Sequence, residues 1–216
     1  MNSILLKFPP HLFSKLIIVS VTLLCFPLLA KQSPLEHYFD SKLVHLNELL
    51  IKNNQSLKND SESLKSFVNT EILPLWSSET TLKALLGTKK WNKIPNPKQI
   101  QLIEAFNQTL HRYVKEGMKF YSNQKFSFVS IKLSKTGKRG YLTILIDPEI
   151  LPSINITFKM TKIEENWKLY DVFVAGISYV KMKKLEIGRI YSENGADAVL
   201  EHLKSKNITS MDRKSK

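Results

Sequence analysis

One cysteine, Cys25, stands in 216 residues, and it lies inside an apolar N-terminal run. With that run removed as a secretion signal, the remaining chain holds no thiol. A disulfide framework, a cysteine nucleophile and a thiolate metal site are then all excluded. Glycine is scarce too, at seven residues. A Gly-rich phosphate cradle is missing, and so is a Gly-x-Ser-x-Gly nucleophile elbow. His37, His45, His111 and His202 are isolated from one another and form no zinc-ligand motif, so no metal is expected. Arginine is limited to Arg112, Arg139, Arg189 and Arg213, although Lys and Arg together number 32. Lysine-rich charge without arginine clusters or interleaved aromatics is a poor nucleic-acid signature, and no nucleic-acid partner is expected.

What is present begins with charge. The chain carries a formal +13, and residues 1–30 contribute two lysines and no acid, which leaves +11 after their removal. Such a surface is either simply well solvated or attracted to anionic membranes, where each nearby lysine contributes about 1 kcal/mol. The single long apolar run, Leu16 to Leu29, is interrupted by Pro27. It is shorter than the ~20 residues that span a bilayer. Lys7 and Lys15 precede it and Ala30 ends it, the layout of a cleaved signal that directs the chain to the periplasm. Leu28 is larger than signal cleavage prefers at that position, so an uncleaved anchor is the alternative. Leu24 stands before Cys25 where lipidation needs a small residue, which excludes a lipoprotein.

Periodicity divides the remainder. Ser33-Pro34-x-Glu36 opens an amphipathic helix through Leu35, Phe39, Leu43 and Leu50, within an N-terminal segment 31–60. A helical layer is expected over 61–122. In it, a segment from Asp60-Ser61 passes through Leu64 and Val68 to Pro74, a short helix runs from Thr80 to Leu86 with Gly87 at its C-cap, and Pro95-Asn96-Pro97 opens the longest helix. From Phe126 the period becomes two. Val129, Ile131 and Leu133 form one stripe, Leu142, Ile144 and Ile146 the next, and Ile154, Ile156, Phe158 and Met160 the clearest. A fourth strand starts at Trp167, apolar on both faces, and Gly176 turns the chain. Residues 126–174 thus read as a β-meander, 178–205 as two C-terminal helices, and 207–216 as a frayed polar tail. The expected class is α+β: one domain, 31–206, with an antiparallel sheet of four or slightly more strands packed against helices.

Ordered landmarks then converge on one family. Trp167, Tyr170 and Asp171 lead to the turn Gly176-Ile177-Ser178 and to a helix followed by a second begun at Gly195. Upstream, Leu86-Gly87, Trp91, Pro97, Gln99, Phe106, Leu110 and Tyr113 fall in matching order. The chain resembles the MlaC family of periplasmic phospholipid-binding proteins, also called toluene-tolerance auxiliary proteins. It departs from the family pattern where an Arg-x-x-Phe is usual, carrying Lys184 and Ile187 instead. Lysine keeps the charge but loses the planar fork of arginine.

The resemblance implies an MlaC-like fold, related in plan to the NTF2-like cone, whose sheet and helices part around an apolar slot for acyl chains. Residues so implied are Leu86, Trp91, Phe106, Leu110 and Tyr113 on helices facing the sheet. On the strands and the turn they are Leu142, Ile144, Ile154, Ile156, Phe158, Met160, Val172 and Ile177. Periodicity by itself says only that these side chains are core. The resemblance further implies a monomer without cofactor that carries phospholipid as cargo in the Gram-negative envelope. Its implied partners are an inner-membrane MCE-type ABC transporter and an outer-membrane lipoprotein–porin complex, and its implied role is outer-membrane lipid asymmetry. Two other classes stay open: an NTF2-like small-molecule enzyme using Asp171 or Tyr170, and a basic module for acidic envelope polymers. Asp147-Pro148 reads as a turn, and Asp171 as a carboxylate that either works in catalysis or hydrogen-bonds its surroundings.

Overall fold

Proline lacks an N–H that the first helical turn would leave unpaired, and Pro34 opens helix α1 (Pro34–Lys52). This computed structural model describes residues 32–148 and 152–212; the expected signal, with Cys25 and Ala30, lies outside the described residues. Helix α2 (Asn54–Asn59) follows, then α3 (Ser61–Phe67). Asp60 caps α3 by accepting the N–H groups of Glu62 and Ser63 at 3.2 and 3.1 Å. These bonds favour the ionised carboxylate and hold its pKa below the usual value, the bonds from Ser63 contributing most. Ahead of Pro74 the helix widens into a π turn, Val68–Ile72, and then tightens into a 3₁₀ turn, Leu73–Leu75. Helices α4 (Ser78–Leu86), α5 (Thr88–Trp91) and α6 (Asn96–Met118) complete the layer.

Five strands form one antiparallel sheet in chain order: β1 (Lys125–Leu133), β2 (Arg139–Asp147), β3 (Ile154–Ile163), β4 (Asn166–Val174) and β5 (Ile177–Ser178). The fifth follows a two-residue turn, Ala175-Gly176, with both φ angles positive at 49° and 77°. That geometry matches the twist of the flanking strands. Two bulges reset the faces. One falls at Val129, between Phe128 and Ser130, so Phe128 and Ile131 share the inner face while Val129 is exposed. The expected stripe of Val129, Ile131 and Leu133 is therefore corrected to Phe126, Phe128 and Ile131. The other falls at Tyr170, because Lys159 pairs with Asp171 and Met160 with Leu169. It puts Leu169 and Val172 on one face although they stand three positions apart.

Helix α7 (Tyr179–Asp212) is interrupted at Gly195, whose φ of 75° and ψ of −168° suit glycine alone, and so comprises the two expected helices. It also runs on past the expected start of the polar tail. Asn207 is buried, donating to the Ala105 carbonyl at 3.0 Å and accepting from the Thr109 hydroxyl at 3.2 Å, which ties the helix end to α6.

Three apolar clusters hold the described residues from Pro34 together. An all-helical one joins α4, α5, α6 and α7 through Leu82, Trp91, Phe106 and Val199. A second joins α1, α2, α3 and α6 through Leu50, Leu57, Phe67 and Met118. The third lies between the sheet and the first half of α1. Among the described residues no helix is long and apolar enough to cross a membrane.

Candidate functional site

The third cluster is the one in which apolar supply exceeds apolar cover. Strands alternate side chains between two faces, so β1 to β4 send Phe128, Leu142, Ile144, Ile156, Phe158, Met160, Leu169 and Val172 to one side. Helix α1 lies on that side and contributes Leu35, Phe39 and Leu43; Trp76 closes one edge. Two hydrogen bonds fix α1 against β1. The Asn47 side-chain amide donates to the Phe126 carbonyl at 2.6 Å, and its oxygen accepts the Phe126 N–H at 3.0 Å.

Trp76 is positioned as firmly. The Ser77 N–H donates to the Leu169 carbonyl at 2.8 Å, and the Trp76 indole N–H donates to the Thr81 hydroxyl at 3.0 Å. Thr81, fully buried, donates in turn to the Tyr170 carbonyl at 2.7 Å, the carbonyl of the bulged residue.

Burial separates this cluster from the helical one. Leu142, Ile144, Ile156, Met160 and Leu169 are buried on its sheet floor, and Phe39 is buried on the α1 side. Around them Leu35, Leu43, Phe126, Phe128, Ile131, Ile146, Phe158, Trp167 and Val172 are only half-buried. Helix α1 packs closest to β1, and a strip of aromatic and aliphatic side chains on the sheet is left in partial contact with solvent. The helical cluster is more fully closed: fourteen of its apolar residues are buried against eight partly buried at its margin, whereas the sheet cluster has six buried and ten partly buried.

The thirteen sequence-predicted residues consequently fall into separate places. Leu142, Ile144, Ile156, Phe158, Met160 and Val172 come together on the inner sheet face. Leu86, Trp91, Phe106 and Leu110 do not face them but are enclosed by α7 residues such as Val199, Leu200 and Leu203. The expectation that these helix residues oppose the strands is corrected: α1, not α4 to α6, covers the sheet. Tyr113 packs edge-on against Tyr179, ring centroids 5.7 Å apart, with the Arg112 guanidinium over its ring. Ile154 and Ile177 are exposed at the end of the sheet where β3 begins and β5 lies. Residues absent from that set but present at the site include Leu35, Phe39 and Leu43, which already form a helical stripe in sequence, and Phe128, Leu169, Trp76 and Trp167.

Asp171 is fully buried beside the sheet edge. Its carboxylate accepts the Ser178 hydroxyl at 2.7 Å and the Val180 N–H at 3.0 Å, and pairs with the Lys159 ammonium at 3.3 Å. Ser178 in turn accepts the Lys181 N–H, so Asp171 and Ser178 together cap α7. Burial raises the pKa of the neighbouring Tyr170 phenol. Among the described residues no cluster of three His, Cys, Asp or Glu side chains could hold a metal ion.

The family model described as MlaC protein matches residues 45–205. No curated protein matches the chain. Among solved structures, the phospholipid-binding protein from Ralstonia solanacearum, determined in complex with a phospholipid, is similar at 15% identity and a TM-score of 0.69. The match covers 84% of this chain and 98% of that one, and the shared fold extends across helices and sheet alike. With most of its length matched, the chain belongs to the MlaC family.

Proposed function

We propose that this protein is a periplasmic phospholipid carrier that shelters acyl chains against the inner face of its sheet. The observation that carries the reading is the strip of half-buried apolar side chains around a buried floor, under the cover of one helix. An apolar face that the protein's own helices leave partly open is stabilised when hydrocarbon covers it. Membership of the MlaC family supports the reading, and so does the phospholipid held by the Ralstonia protein of the same fold.

The physical need for such a carrier is large. At about 0.8 kcal/mol per methylene, bringing two acyl chains of roughly thirty methylenes into water costs on the order of 20 kcal/mol. Spontaneous transfer across an aqueous compartment is therefore negligible. A carrier that swaps bilayer contacts for protein contacts removes most of that barrier and requires no chemical step. Lipid is collected from and delivered to membrane complexes in this reading: an MCE-type ABC transporter on the inner membrane and a lipoprotein–porin complex on the outer. Their exchange of lipid through the carrier maintains outer-membrane asymmetry. The protein acts as a monomer and uses no cofactor. Head-group selectivity is weak, because the inner face presents no arginine fork to read a phosphate. Loading of delipidated protein from labelled liposomes tests the reading: uptake of one diacyl lipid per chain supports it, and failure to load rejects it.

A further inference from the structure

The first turns of α7 present an outward stripe that no part of the described chain covers. Counting 100° per residue, Lys181, Met182, Lys184, Leu185, Gly188 and Arg189 fall on one side of the helix. Val180 and Ile187 lie opposite, buried in the helical cluster. Leu185 is 84% exposed and Met182 58%, so two large apolar side chains project at the centre of a cationic border. Neither Lys181 nor Lys184 enters an ion pair among the described residues, and the stripe contains no acid. Arg189, near the edge of the stripe, pairs with Glu193, and Lys183, on the opposite side of the helix, pairs with Glu186.

The same apolar character continues back along the chain. Ile177, 64% exposed, immediately precedes the helix cap and pairs across β5 with Val174, which is half exposed. Val174 pairs across β3 with Ile156, on the floor of the inner sheet face. The exposed apolar residues thus connect by strand register to the face assigned to acyl chains.

Resting on the carrier reading, we propose that this stripe docks on the surface of an anionic phospholipid leaflet. Leu185, Met182 and Ile177 enter the interfacial region while Lys181 and Lys184 meet lipid phosphates. An exposed apolar centre flanked by unpaired lysines is the arrangement that favours an anionic bilayer interface. Charge complementarity selects the occupant, since a second copy of this basic chain would set lysine against lysine. Docking would place the end of the inner face at the membrane surface where the lipid-exchanging complexes of that reading sit.

The test is co-sedimentation of the full protein with phosphatidylcholine vesicles, with and without phosphatidylglycerol, at low and high salt. The proposal expects binding that needs phosphatidylglycerol and weakens as salt screens the lysines. Replacing both lysines, Lys181→Gln with Lys184→Gln, should weaken it by about 30-fold, the loss of two contributions of ~1 kcal/mol each. Leu185→Gln, at a position too exposed to affect folding, should weaken it at every salt concentration. Equal binding to both vesicle types, unchanged binding of these variants, or a Leu185-dependent dimer in size-exclusion chromatography each overturn the proposal. Lipid carried per chain, measured on the same samples, separates the two ideas. Variants that retain bound lipid but lose vesicle binding support docking. A wild type that carries lipid without binding anionic vesicles ends the docking proposal alone, and one that never carries lipid ends the carrier reading.

Discussion

Asp171 illustrates how a residue's partners set what its loss costs. Its carboxylate holds the Ser178 hydroxyl, the Val180 N–H and the Lys159 ammonium, so truncation would leave two buried donors unpaired. Asp171→Ala is expected to destabilise the fold by about 2–4 kcal/mol, read as a shift in denaturation midpoint. A change below 0.5 kcal/mol would show that water replaces the cap without loss. The contrast between Phe106 and Phe158 tests the division of apolar residues. Phe106 sits in the closed helical cluster, and Phe106→Ala should cost about 3–5 kcal/mol. Phe158 is half-buried on the inner sheet face, and Phe158→Ala should cost only about 1–2 kcal/mol while sharply reducing retained lipid. Equal destabilisation with unchanged lipid content would make Phe158 ordinary core. Burial of both aromatics was legible in sequence from spacing. Which cluster each would join was not, because periodicity reports a face and not what packs on it.

Elements were read well where caps and breakers are explicit. Pro34, Asp60 and Gly87 stand at the boundaries their chemistry suggests and Gly195 divides α7, whereas α4 begins at its Ser77 cap rather than at the expected Thr80. The bulges at Val129 and Tyr170 escaped the sequence reading, because an inserted residue leaves the composition of a strand unchanged while reversing its faces. That explains the fourth strand. It reads as apolar on both sides, yet the bulge gathers Trp167, Leu169 and Val172 onto one face and leaves Asp171 and Phe173 on the other. The extent of α7 was missed because Asn207 looks like a turn residue and acts as a buried cross-helix donor. Two glycines make an element-scale prediction of opposite sign. Gly195 has a positive φ with open space around it, so Gly195→Ala should cost about 1–3 kcal/mol from backbone strain alone. Gly117 is exposed near the end of α6 with nothing within 4 Å of an added Cβ, and Gly117→Ala should stabilise by about 0.5–1 kcal/mol. Thermal unfolding of the two variants side by side checks the pair; the same sign for both would contradict it.

At the scale of the whole molecule, the helical clusters and the sheet cluster divide the work. Residues of α4 to α7 close a core among themselves, whereas the sheet has α1 as a partial roof. Covering that roof's margin with hydrocarbon should add stability as well as function, since a ligand bound only by the folded state stabilises it. The family resemblance implies a lipid slot; that α1 packs on the inner face of the sheet is evident only from the packing. The most direct measurement is organic extraction of the purified native protein followed by mass spectrometry of the extract. The account predicts diacyl phospholipid at about one molecule per chain, the amount a single apolar face of this kind accommodates, with mixed head groups. Protein that yields no phospholipid on extraction, and takes up none from liposomes afterwards, would contradict it.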